Sequence, residues 1–153
     1  MPGRLSAIVE ATPQLIASAT LRVETEGAGF TDITANAAGF IDQIRAGEGV
    51  LLIHLRHTSA SLAIQENADP SVQSDLIAAL DRLAPENAPW IHDAEGPDDM
   101  PAHVKAMLNG VSLHVPVRDG KLTLGVWQAI YLVEHRRRPH SREITFQFIG
   151  ARE

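Results

Sequence analysis

Val50-Leu-Leu-Ile-His-Leu-Arg-His57-Thr-Ser-Ala-Ser61-Leu-Ala-Ile-Gln-Glu66-Asn-Ala-Asp69-Pro70 carries two apolar runs, a polar corner between them and a helix start. Val50 to Leu55 is nearly continuous in apolar residues and has the length of a buried strand, and Ser61 to Gln65 reads as its hairpin or bent continuation. Between them His57, Thr58, Ser59 and Ser61 place an imidazole beside three hydroxyls, side chains of ligand grade where plain turn residues would serve. Asp69 and Pro70 read as N-cap and first helical residue, because proline lacks the N–H that the first turn leaves unpaired.

Outward from this stretch the same periodicities continue. Leu21, Val23 and Thr25 alternate with Arg22, Glu24 and Glu26, which predicts a half-buried strand over Ala19 to Glu26. Residues 1–18, of mixed polarity with Pro2 and Pro13, read as an N-terminal arm of uncertain order ahead of one domain over 19–153. The stripe Ala37, Phe40, Ile41, Ile44 predicts a helix over roughly 35–46, stopped at Gly47 and Gly49. Leu76, Ile77, Leu80 and Leu83 form the inner stripe of the helix after Pro70. Residues 85–99 are rich in Pro, Gly and acid and form a loop long enough to suspect function. Pro101 opens a third helix, with Val104, Met107 and Leu108 as its apolar side and Asn109-Gly110 as its end. Strands follow over Val111–Val117, Lys121–Val133 and Ile144–Ile149, the first two joined at Asp119-Gly120. Helices interleaved with an antiparallel C-terminal sheet predict an α+β fold.

The chain has 153 residues, enough for one domain with a true core, and its 44% apolar and 21% charged content is that of a globular protein. With no cysteine, disulfides, thiolate catalysis and Cys-ligated zinc are excluded, so any metal would rest on histidine, carboxylate or water. A net charge of −6 disfavours nucleic acid as a partner. No apolar run reaches the length of a membrane span, and no export signal opens the chain, so a soluble, cytoplasmic protein is expected.

His57, His92 and His103 lie in irregular or terminal contexts, at separations that match no local zinc motif, so a shared site would have to be built by tertiary structure. Asp93, Asp98 and Asp99 are available as ligands or as orienters of the imidazoles. His54 and His114 fall within strands and read as structural. Thr58, Ser59 and Ser61 can donate to a phosphate or satisfy their own turn, and Asn67 can orient a ligand or satisfy backbone groups. Gly125-Val126-Trp127-Gln128 interrupts the predicted strand. Trp127 there suits a core, an interface or the wall of a heterocycle pocket beside Gln128. Arg136-Arg137-Arg138, with His135, His140 and Arg142, makes a basic cluster able to hold a small anion, although three successive arginines read first as a solvated loop. Glu134 and Arg142 read as an ion pair, and no Gly-x-Ser-x-Gly elbow is present.

Taken together, His57-Thr58-Ser59-Ala60-Ser61-Leu62, Glu66-Asn67-Ala68-Asp69-Pro70, Ala102-His103-Val104-Lys105-Ala106 and Gly120-x-Leu122-x-Leu124-Gly125-x-Trp127-Gln128 resemble the YjbQ-like family over about residues 20–150. Val126 departs from the threonine common before the Trp-Gln pair, and Met100-Pro101 from a more polar stretch. The resemblance implies an α+β domain with a β-sandwich-like core and flanking helices, assembled as a homotrimer with polar clefts near subunit boundaries. It also implies secondary thiamine-phosphate synthase activity, in which a pyrimidine diphosphate joins a thiazole phosphate and pyrophosphate leaves. On that reading His57, His92 and His103 bind a divalent metal, zinc or magnesium, or the diphosphate itself. His57, Glu134 and Arg142 serve catalysis, and Thr58, Ser59, Asn67, Lys105, Trp127 and Gln128 bind a small phosphorylated or anionic ligand. A metal-dependent hydrolase and a non-catalytic metal- or anion-binding trimer are the alternatives.

Overall fold

A computed structural model describes residues 2–153; Met1, the first residue of the expected arm, lies outside the described residues. The order of elements is β1 (Leu15–Thr25), β2 (Gly29–Asp32), α1 (Thr34–Gln43), β3 (Ala46–Leu55), β4 (Ala60–Glu66), α2 (Pro70–Leu83), α3 (Asp99–Asn109), β5 (Ser112–Arg118), β6 (Lys121–Leu122), β7 (Gln128–Glu134) and β8 (His140–Arg152). One sheet has the order β1-β8-β3-β5-β6 and the other β2-β7-β4. All neighbours in both are antiparallel. The fold is therefore α+β, as the periodicities predict, and sandwich-like, as the family resemblance implies.

Leu51, Ile53, Leu55, Ile144, Phe146 and Phe148 from the first sheet meet Leu62, Ile130 and Leu132 from the second, with Ile33, Ala37 and Ile41 closing one side. The alternation read in β1 holds, since Leu21, Val23 and Thr25 are more buried than Arg22 and Glu24. β7 does not alternate because both its faces are covered. Ile130 and Leu132 point into the sandwich, while Ala129, Tyr131 and Val133 pack on the other side with Phe30 and Ala63. Asp69 caps α2, accepting from the Ser71 N–H at 2.9 Å.

Several expectations are corrected. Strand β1 begins at Leu15, four residues ahead of the strand expected from residue 19, because Leu15 to Ser18 pair with Gln147 to Gly150. Helix α1 ends at Gln43, where Arg45 takes a left-handed conformation (φ 54°) and turns the chain into β3. Gly47 and Gly49 are therefore strand residues rather than a helix stop. Gly49 sits opposite Gly150 with the Phe148 ring against both, a spacing that leaves no room for a Cβ at either position. The long strand expected over 121–133 splits in two. Asp119 (φ 50°) and Gly120 (φ 73°) make the β5–β6 hairpin. Thr123 to Trp127 then cross to the second sheet, and the Gln128 side chain closes that crossing by accepting from the Gly125 N–H at 2.8 Å. Helix α3 starts at Asp99, and its buried face is Asp99, Pro101, Ala102 and Ala106. Met107, expected inside, is 82% exposed.

Candidate metal centre

The early start of α3 builds the site. Asp99 and His103 are four residues apart, so they stack on one face of the helix, and Ala102 and Ala106 beside them let that face pack closely. The acidic loop folds back over this face. Gly96 turns at φ 105°, its N–H donates to the Asp93 carbonyl, and the Trp90 indole anchors the loop on the Pro85 carbonyl at 2.9 Å. His92 and Glu95 are thereby carried to Asp99. His92 Nε2 lies 2.7 Å and His103 Nε2 3.0 Å from the same oxygen, Asp99 Oδ2, and Glu95 Oε2 is 3.7 Å from His92 Nε2. One ligand atom from each of the four residues lies within 4.8 Å of all the others.

Proton placement constrains what this arrangement can be. His103 Nδ1 is 2.8 Å from the Thr58 carbonyl, and a carbonyl only accepts, so Nδ1 carries a proton. A neutral His103 then points the Nε2 lone pair at an Asp99 oxygen. That contact is attractive only with a cation in it, either a second proton on the ring or a metal ion. Burial works against the Asp99 carboxylate, but hydrogen bonds and the charges of His103 and Arg136 outweigh it and hold its pKa below the ordinary range.

Arg136 corrects the reading of the triple arginine as a solvated loop. Only 6% exposed, it reaches Asp99 Oδ1 through Nη1 at 2.5 Å, Asp98 Oδ2 through Nε at 3.2 Å and the Glu95 carbonyl through Nη2 at 3.0 Å. Arg137 and Arg138 are exposed, as expected of that loop.

The expected metal set is brought together only in part. His57 stands outside the group, and its Nε2 accepts the Glu143 N–H at 2.9 Å. Burial and then the Arg142 charge lower its pKa, in keeping with an Nε2 that accepts an N–H and so carries no proton. The sequence gives no sign of Glu95 as a ligand and offers Asp99 only as one of three acids near the histidines. The spacing Asp99-x-x-x-His103 was visible, but it means one helical face only when the helix starts at Asp99 and not at Pro101.

Glu134 and Arg142, expected in catalysis, form a buried pair. Glu134 Oε1 accepts from Thr25 Oγ1 at 2.7 Å and Arg142 Nε at 2.8 Å; Oε2 accepts from Arg142 Nη2 and from the amides of His135 and Arg136. Burial opposes its charge, but these bonds hold its pKa low. Ser59 is taken up here too, its hydroxyl accepting from Arg142 Nη2 at 2.9 Å. Close by, Asn109 donates to Ser61 Oγ at 3.0 Å, and that hydroxyl meets His135 Nε2 at 2.8 Å. Burial and the Lys105 charge lower the His135 pKa to about 4.

The remaining candidates lie elsewhere. Lys105 pairs with Asp81 at 2.6 Å, beside a cavity of about 150 Å³ that His135 and Asp98 also line. Asn67, Trp127 and Gln128 gather at the far end of β4, where the Asn67 N–H donates to the Trp127 carbonyl at 3.1 Å. The seven residues of β4 separate that end from the Thr58 end by about 20 Å. Trp127 is 62% exposed.

The family model described as UPF0047 protein YjbQ-like matches residues 19–151. A UPF0047 protein of Synechocystis sp. is 40% identical, covering 85% of this chain and 89% of its own, and the UPF0047 protein YjbQ of Salmonella typhimurium is 43% identical over 82% and 91%. An uncharacterized conserved protein of the yjbq/upf0047 family from Clostridium acetobutylicum superposes with a TM-score of 0.77 at 32% identity, over 86% of this chain and 98% of that one. A YbjQ-like protein of unknown function from Sulfolobus solfataricus has the same fold, with a TM-score of 0.80 at 24% identity, over 90% and 100%.

Proposed function

The chain belongs to the UPF0047 YjbQ-like family, and we propose that within it this protein is a divalent-metal enzyme acting on a small phosphorylated molecule. The carrying observation is the Asp99 oxygen shared by two imidazole nitrogens, one of which has its other proton fixed by the Thr58 carbonyl. The donor set fits a transition ion. Two imidazole nitrogens and two carboxylates suit zinc, whereas magnesium favours all-oxygen octahedra. His92, Glu95, Asp99 and His103 would hold the ion, with Thr58 orienting His103. A bound divalent ion supplies positive charge for phosphate oxygens.

The reaction we put first is the coupling that the family resemblance implies. A thiazole nitrogen attacks the methylene carbon of a pyrimidine diphosphate, the carbon–oxygen bond breaks, and pyrophosphate departs with the electron pair. The exposed Thr58 hydroxyl at the lip of the site is placed to donate to a phosphate oxygen. Glu134, Arg142 and Ser59 hold the floor of the neighbouring strands and do not touch substrate. Metal analysis of protein purified without a histidine tag, followed by a thiamine-phosphate assay of His92→Ala and His103→Ala, tests this. Stoichiometric zinc and turnover, both lost in the two variants, are expected; full turnover in metal-free protein overturns it. A hydrolase using the same donors is the second reading, favoured because a His–carboxylate zinc site suits activation of water.

Assembly as a cytoplasmic homotrimer belongs to the same proposal, with Asn67, Trp127 and Gln128 of one copy serving the site of a neighbour. Light scattering should give three chains per particle, and mixing His92→Ala with Trp127→Ala chains should restore turnover. Among the described residues no helix is long and apolar enough to cross a membrane.

A further inference from the structure

We infer that Arg136 is the positioning residue that makes Asp99 a one-oxygen ligand and so selects the class of metal, an inference that rests on the metal reading above. The guanidinium occupies Asp99 Oδ1, leaving Oδ2 as the oxygen that faces His92 and His103. Through Nε and Nη2 the same group holds the Asp98 carboxylate and the Glu95 carbonyl, so one planar fork fixes both ends of the 95–99 turn. Glu95 and Asp99 are thereby set toward His92. The same Asp98 oxygen also accepts from the Arg137 amide at 2.9 Å, and Asp98 is not one of the four clustered residues.

The consequence is a coordination number. A carboxylate free at both oxygens can bind through two, which raises coordination and suits larger, harder cations such as calcium. With Oδ1 occupied, Asp99 offers a single oxygen, one donor fewer beside the two imidazoles and Glu95, which favours the low coordination number of a small transition ion. Arg136 itself touches neither metal nor substrate on this account. It acts through Asp99.

The test uses cobalt(II) as an optical probe in the full chain, with Arg136→Met and Arg136→Lys compared after circular dichroism has established folding. The unaltered protein should bind cobalt with the intense visible band of four-coordinate cobalt(II). Arg136→Met should bind it about 10- to 100-fold more weakly, the size of effect seen when a ligand loses its orienting partner, and should lose most of that band as Asp99 binds through both oxygens. Arg136→Lys keeps a buried positive charge but reaches one carboxylate at a time, so it should fold, weaken affinity several-fold and retain part of the band. Either folded variant with unaltered affinity and band overturns the role of Arg136. Failure of the unaltered protein to take up cobalt or zinc strikes instead at the metal reading.

Discussion

Glu134–Arg142 and Asp99–Arg136 are both buried carboxylate–guanidinium pairs, and the backbone of Arg136 joins them by donating its N–H to Glu134. They differ in what is left over. Glu134 spends both oxygens on five donors of its own surroundings, three of them side-chain groups on Thr25 and Arg142. Asp99 gives one oxygen to Arg136 and leaves the other between two imidazoles that stand partly in solvent. The same chemical pair is thus closed in one place and open in the other, and the difference is set by which groups surround the second oxygen.

On the closed side Glu134→Ala carries the largest cost. It leaves the Arg142 charge buried without its partner, and we expect unfolding free energy in urea to fall by about 3–5 kcal/mol. A loss below about 1 kcal/mol would mean that solvent reaches Arg142 and the site is not closed.

The closed side should also respond to acid. Its neighbour His135 titrates near pH 4 in the folded protein against 6.5 for a free imidazole, because burial disfavours the charged ring. Between those values the unfolded chain holds this proton and the folded one does not, so stability declines as pH falls through the window and is unaffected by this group above it. The full decline is about 3 kcal/mol. Urea curves from pH 7 to 4.5 for the parent protein and His135→Gln would sharpen the point, since the variant should lose this part of the slope.

The smallest stability effect is expected on the open side. His92 is half exposed, so His92→Ala should change unfolding free energy by no more than about 0.5 kcal/mol while abolishing tight zinc binding by calorimetry. Strong destabilisation with zinc binding intact would invert the comparison.

The local parts of this architecture were legible in the sequence, because they are set by neighbours along the chain. Alternation gave β1, Asp69-Pro70 gave the start of α2, and Asp119-Gly120 gave a hairpin. The candidate site was less so. His92 and His103 could be named from their contexts, but Glu95 joins them only through the turn at Gly96, and His57 leaves them because a backbone amide from β8 takes its nitrogen. Arg136 looked like surface charge beside Arg137 and Arg138. Nothing along the chain distinguishes the arginine whose neighbours in space are Asp98 and Asp99.

The placement of β7 and β8 has a further consequence, for the order of events during synthesis. β8 lies between β1 and β3, and β7 lies between β2 and β4, so each sheet contains an inner strand made after both of the strands it joins. Until Gln128–Glu134 has emerged β2 has no pairing partner, and until about residue 150 has emerged β1 lacks most of its own. Cooperative folding of this domain should therefore wait until β8 has been made, and the nascent chain is at its most aggregation-prone just before then.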